Sequence, residues 1–168
     1  QGTSGTAAVI SRYMTQPSEN FTLQARIRVE GSGTGGIAFR AADATHYDYI
    51  SLSSSLDLIE LRKMNGAASV KLAGGAELFG DANTWHMCRV EAQGAHVRVW
   101  VDGVQQFDYT DTGVTTGGRV YAAGVPGAFV QNSTVHLDEI LMSQCANAVS
   151  DAAPEGTPAQ VLRVTAAP

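Results

Sequence analysis

His96-Val97-Arg98-Val99-Trp100-Val101-Asp102-Gly103 is the stretch on which the fold turns. Valine recurs at every second position, so the valines share one face while His96, Arg98, Trp100 and Asp102 share the other, the pattern of a half-buried strand. The closing Asp102-Gly103 is a strong hairpin signal, because both residue types accept the positive φ that a tight turn between antiparallel strands requires. Val104 to Tyr109 reads as the returning strand. Upstream, Thr84 to Gln93 alternates in the same way, with His86, Cys88, Val90 and Ala92 on its apolar side, and Gly94-Ala95 joins it to the central stretch.

The same period extends in both directions. Strands are predicted at Ala7 to Arg12, Phe21 to Glu30, Gly36 to Ala41, Tyr47 to Ser53, Leu56 to Met64, Ala68 to Ala73, Gly118 to Gly124 and Thr134 to Ser143. Turns are predicted at Gly31 to Gly35, Asn65-Gly66, Gly74-Gly75, Gly117-Gly118 and Pro126-Gly127. No long amphipathic segment of helical period occurs. About ten short strands at close spacing define an all-β chain, a two-sheet antiparallel sandwich or jelly roll. Residues 1–145 form one domain in this reading. Residues 146–168, rich in Ala, Pro, Thr and Gly, read as a tail or linker, with one more strand expected at 160–165.

Composition narrows the function classes. With 168 residues the chain fits one sandwich domain, and 44% hydrophobic against 16% charged residues argues against disorder. The net charge is −5 and the arginines and lysines are scattered, so no basic stripe follows a phosphate backbone and nucleic acid is excluded as the expected partner. No run approaches the roughly 18 apolar residues of a membrane helix, and membrane insertion is not expected. The sequence reads as a secreted, extracellular protein trimmed at Gln1. Cys88 occupies an apolar strand position and Cys145 follows the last strong strand; a disulfide and two free thiols both fit. The two sequons, at Asn20 and Asn132, carry no weight in a chain this rich in Ser and Thr.

Thr84-Trp85-His86-Met87-Cys88-Arg89-Val90-Glu91 followed by Val97 to Gly103 resembles the laminin-G-like, concanavalin A-like jelly rolls. Phe21 to Val29 is similar to that superfamily's early F-x-L-x-A-x-I-x-V strand. Gly36-Ile37-Ala38-Phe39-Arg40 with Tyr47 to Leu52 resembles its G-x-x-F-R and Y-Y-x-L hairpin. Thr116 to Val120 and Val135 to Ile140 resemble its closing T-G-x-V-G and V-x-F-D-x-I segments. The resemblance covers roughly residues 20 to 143 and implies fold more than function, since the superfamily includes lectins, carbohydrate-binding modules, glycosidases, polysaccharide lyases and adhesive domains. It also implies a structural calcium ion at Asp138, a position where many members carry a calcium ligand on the closing strand.

Catalytic patterns are incomplete. Gly31 to Gly36 satisfies G-x-G-x-x-G, yet a strand follows rather than a helix, so no helix N-terminus is there to hold a pyrophosphate; a glycine-rich hairpin is the reading. Ser55-Leu56-Asp57-Leu58-Ile59-Glu60 resembles the E-x-D-x-x-E strand of concanavalin A-like glycosidases but has Ser55 in place of the first glutamate. A retaining glycosidase needs two carboxyl groups about 5 Å apart. Asp57 and Glu60 are therefore assigned to a solvent-facing strand edge. His46, His86, His96 and His136 lack metal-ligand spacing.

The alternation sends Ile37, Phe39, Ile50 and Leu52 inward and Arg40, Tyr47 and Tyr49 outward, with Arg98 and Trp100 outward on their own strand. Exposed aromatic rings stack on sugar C–H faces while arginines bond to hydroxyls. The expected function is a non-catalytic glycan- or polysaccharide-binding domain that presents Arg40, Tyr47, Tyr49, Arg98 and Trp100 on one sheet face, braced by calcium at Asp138. Two alternatives stand beside it. One is a structural or adhesive subunit that pairs with other copies of itself through residues 1–12 and 159–166; the other is a hydrolase or lyase of the same fold.

Overall fold

The computed structural model describes residues 7–10, 18–77, 81, 83–113, 121 and 123–144. These form the strands β1 (Ala7–Ile10), β2 (Phe21–Glu30), β3 (Thr34–Asp43), β4 (His46–Ser53), β5 (Leu58–Asn65), β6 (Ala68–Glu77), β7 (His86–Gln93), β8 (His96–Val101), β9 (Val104–Thr110), β10 (Val125–Gln131) and β11 (Thr134–Gln144), with no helix among the described residues. A six-stranded sheet runs β1-β10-β3-β4-β5-β6 and a five-stranded sheet runs β11-β2-β7-β8-β9. Every named pairing is antiparallel, so the sandwich expected from the sequence is the one observed.

Period two builds the interior. Leu23, Ala25, Ile27 and Val29 of β2, Cys88, Val90 and Ala92 of β7, and Val97, Val99 and Val101 of β8 face Ile37 and Phe39 of β3, Ile50 and Leu52 of β4, and Ile59 and Leu61 of β5, all buried. Phe21 and Phe39 meet edge-to-face across the two sheets with centroids 6.2 Å apart. The predicted hairpin turn is present, with Asp102 and Gly103 both at positive φ, 50° and 80°. Cys88 is a buried thiol whose pKa burial pushes well up, while Cys145 lies outside the described residues.

Three expectations change. Pro126-Gly127 is not a turn but lies inside β10, where the pairing with β3 shifts register between Val125 and Gly127; the shift accommodates a proline that has no N–H to give the ladder. The strand expected at Gly118 to Gly124 is absent at Tyr121, Ala123 and Gly124, where Gly124 makes only an isolated bridge to Ser18; the rest of that span, bar Tyr121 and Ala123, lies outside the described residues. The turn expected at Gly74-Gly75 lies inside β6, where both glycines have positive φ and the pairing with β5 shifts register. The strand expected at 160–165 lies outside the described residues.

Gly36 marks a close approach between β3 and β4, since an added Cβ would stand 1.9 Å from the Ile50 carbonyl oxygen. Gly36→Ala is expected to lower the unfolding free energy in urea by about 1–3 kcal/mol. Gly66→Ala, with open space around it but φ at +65°, is expected to lose only about 1 kcal/mol.

Candidate functional site

The five residues expected on one binding face separate onto three surroundings. Tyr47 and Tyr49 do point out of the six-stranded sheet, yet they are only 1% and 2% exposed. They pack in a second apolar cluster with Ala38, Ala41, Met64 and Phe129, the Tyr49 and Phe129 rings lying 4.2 Å apart. Burial, reinforced by the neighbouring Tyr49, raises the Tyr47 phenol to about 12. Arg98 and Trp100 lie on β8, on the outer face of the other sheet, where Arg89 and Arg98 flank the Trp100 ring at 5.2 and 5.7 Å.

Arg40 departs furthest from expectation. The β3–β4 register shifts between Phe39 and Asp43, and Arg40 itself has φ +50°, so the alternation is broken and the side chain turns inward. There it donates to the Gly94 carbonyl in the β7–β8 turn of the opposite sheet and stands 3.6 Å from Asp48. Lys63 of β5 pairs with Asp111 and lies 3.9 Å from Asp48. Two cations and two carboxylates are thus buried together inside one end of the sandwich, with the Lys63 ammonium 4.8 Å over the Tyr121 ring. Burial raises the Asp48 carboxyl from 3.8 to about 6, against the opposing pull of Lys63 and Arg40, and lowers Arg40.

Asp138 sits beside a register shift in β11, accepts the Glu139 N–H at 2.8 Å and lies opposite Arg26 of β2. No group of three or more His, Cys, Asp or Glu among the described residues could hold a metal ion.

A cavity of about 350 Å³ opens on the outer face of the six-stranded sheet, at the strand to whose solvent-facing edge Glu60 was assigned. Small outward residues, Thr34 of β3 and Ser51 of β4, leave the space, and Tyr49, Met64 and Phe129 line it with apolar surface. Register places Arg62 beside Tyr49 and Glu60 beside Ser51. The Arg62 Nη1 donates to Glu60 Oε2 at 2.6 Å and its Nε donates to Ser69 Oγ at 2.9 Å. Ser69 Oγ is also hydrogen-bonded to the Tyr49 hydroxyl at 2.7 Å, and Lys71 stands 3.6 Å from Glu60. At the far end Thr34 donates to Gln131. Of the predicted binding residues only Tyr49 lines this cavity. Glu60 and Arg62 share an alternating strand face, a signal visible in Leu58 to Met64, but nothing there shows that β6 and β10 flank that face.

One arrangement has the outline of a nucleophilic triad. Thr84 Oγ1 lies 3.3 Å from His86 Nε2, and His86 Nδ1 lies 2.7 Å from Asp102 Oδ2. The Thr84 hydroxyl, however, donates to the Asp81 carbonyl at 2.7 Å, and His86 Nε2 also faces that carbonyl at 3.1 Å. With its ring buried, His86 ties Asp81 to the β8–β9 hairpin, and the Thr84 hydroxyl is directed at the Asp81 carbonyl rather than held as a nucleophile.

The two sheets define a concanavalin A-like β-sandwich. The chain belongs to the 3-keto-alpha-glucoside-1,2-lyase-like domain family, whose model matches residues 3–137. Among solved structures it is similar to the carbohydrate binding module CBM66 from Bacillus subtilis, at 20% identity and TM-score 0.73, over 85% of this chain and 84% of that one. It is also similar to a putative glycosyl hydrolase from Parabacteroides distasonis, at 13% identity and TM-score 0.62, over 79% and 81% of the two chains. A third is CG-16, a homodimeric agglutinin from chicken liver, at 9% identity and TM-score 0.53, over 84% and 97%. These likenesses show the sandwich fold and do not single out its laminin-G branch. No curated protein matches the chain in sequence.

The buried charges generate two tests. Lys63→Met strips Asp111 of its lysine and leaves Asp48 with Arg40 alone, and is expected to cost about 3–5 kcal/mol of unfolding free energy in urea. Because the folded Asp48 carboxyl titrates near 6 and the unfolded one near 3.8, its ionisation opposes folding at neutral pH. Its contribution to stability is fully present below 3.8 and is lost as pH rises through about 6. Denaturation midpoints measured across that window are expected to carry this slope, and Asp48→Asn is expected to remove it.

Proposed function

We propose that this domain binds a carbohydrate in the cavity between β4, β5 and β6, without turnover, and does so outside the cell. The observation that carries the reading is the Glu60–Arg62–Ser69–Tyr49 hydrogen-bond chain at the mostly polar wall of a cavity of about 350 Å³. A sugar offers both hydroxyl donors and acceptors on one side and C–H surface on the other. Glu60 accepts from hydroxyls and Arg62 donates to ring or hydroxyl oxygens, while Tyr49, Met64 and Phe129 contribute only the small apolar edges that their packing leaves open. The cavity volume lies at the small end of the usual range for ligand sites. The likeness to a carbohydrate binding module supports the same reading.

Family membership favours a second reading, elimination on a 3-keto glucoside. Hydrolysis through paired carboxylates has only Glu60 among the described cavity residues. Elimination needs one base, and Glu60 beside the Arg62 guanidinium provides a base with a cation to steady charge on an adjacent carbonyl oxygen.

Titration calorimetry against a panel of oligosaccharides tests the first reading. Glu60→Gln and Arg62→Ala are each expected to weaken the best ligand by about tenfold to a hundredfold, since each removes a charged hydrogen-bond partner. Unchanged affinity in both variants would sink the cavity as the site. Incubation with a 3-keto-α-glucoside separates the readings: binding without product supports the first, and product formation abolished by Glu60→Gln establishes the second.

A further inference from the structure

The outer face of the five-stranded sheet carries a set of side chains that the cavity does not use. Strand register lays them out in rows. His136 of β11 stands beside Arg28 of β2, and in the next row Asp138, Arg26 and Met87 follow one another across β11, β2 and β7. Trp85, immediately before β7, lies over this corner with the Arg26 and Arg28 guanidinia 5.2 and 5.4 Å from its ring centroid and the His136 ring at 6.4 Å. Despite these contacts it remains 37% exposed.

Trp85 is held in place by its own turn. The Thr84 N–H donates to the Asp81 carbonyl at 2.8 Å, the Asn83 N–H to the Asp81 carboxylate at 2.8 Å, and His86 anchors the following residue to Asp102. An exposed indole fixed by a stapled turn loses little freedom when a ligand stacks on it.

Charge singles out one residue of this corner. Arg28 and His136 both pair with Glu30, and elsewhere on the face Arg89 and Arg98 both pair with Glu91. Arg26 has no ion pair with a carboxylate among the described residues, Asp138 opposite it in register included. A guanidinium free of a carboxylate, stacked against an exposed indole, matches a ligand that presents a carboxylate at the edge of a flat C–H surface.

We infer that Trp85 and Arg26 form a second glycan site, separate from the cavity, which takes a uronate unit of an acidic polysaccharide. The sugar ring stacks on Trp85 and its carboxylate pairs with Arg26, with Arg28 and His136 at the margin. This site stands on different residues from the cavity and does not depend on it.

Affinity electrophoresis with polygalacturonate, and with its methyl ester as the neutral control, provides the test. The protein is expected to be retarded by polygalacturonate at low salt, less in high salt and less by the ester. Arg26→Gln and Trp85→Ala are each expected to weaken the interaction at least about tenfold, whereas Leu56→Ser, at an exposed position in the turn before β5, is expected to leave it unchanged. Circular dichroism melts check folding, and Arg26→Gln, a conservative surface change, keeps the test decisive if Trp85→Ala unfolds. Absence of retardation in the wild-type protein, equal retardation by the ester, unaltered binding in Arg26→Gln, or loss of binding in Leu56→Ser would each overturn the assignment.

Discussion

The interdigitation of the two inner faces governs the rest of this molecule. Strands β2, β7 and β8 on one side and β3, β4 and β5 on the other commit every second residue to a shared apolar layer. Because the side-chain period of a strand is two, that commitment also decides which residues are left to face outward. Glu60, Arg62, Arg26 and the Trp100 ring are where they are because Ile59, Leu61, Ile27 and Val99 could not be anywhere else. Chemistry in such a fold is assigned to the complement of the core.

One end of the layer breaks the rule. Arg40, Asp48, Lys63 and Asp111 occupy interior positions that elsewhere hold aliphatic side chains, and removing such groups from water is costly unless each meets an opposite charge. The arrangement balances two against two and draws in parts distant along the chain: the β3 bulge, the β7–β8 turn and the segment after β9. Apolar packing alone would hold these ends together without fixing how they meet. A charge network tolerates only one relative placement, since a small slip leaves a buried ion without its partner.

Much of the architecture was legible in the residues. Val97, Val99 and Val101 with Asp102-Gly103 located a strand and its hairpin, and the alternation over Phe21 to Glu30 located a second strand to the residue. Legibility failed where the period was interrupted. The bulge at Arg40 reversed the direction of one side chain, and a bulge at Pro126 hid a strand inside what reads as a turn. The site was less accessible than the fold for a different reason. Outward direction was correct for Tyr47 and Tyr49, but exposure depends on what lies across the sheet, and Phe129 and Met64 come from strands that local pattern does not place beside them. Trp100 was read correctly as outward but belongs to the opposite sheet. Glu60 was discounted because its motif lacks a second carboxylate, although a carboxylate can serve recognition as well as catalysis.

The cavity and the Trp85 corner look out from opposite sides of the same two-layer block. With sheets stacked about 10 Å apart and side chains projecting beyond each, adjoining units of one short oligosaccharide cannot occupy both. On the two proposed sites, each face would engage a different chain, or widely separated parts of a long one. The domain would then have a valence of two without any need to dimerise: a single small bead whose geometry would gather polymer strands into a network.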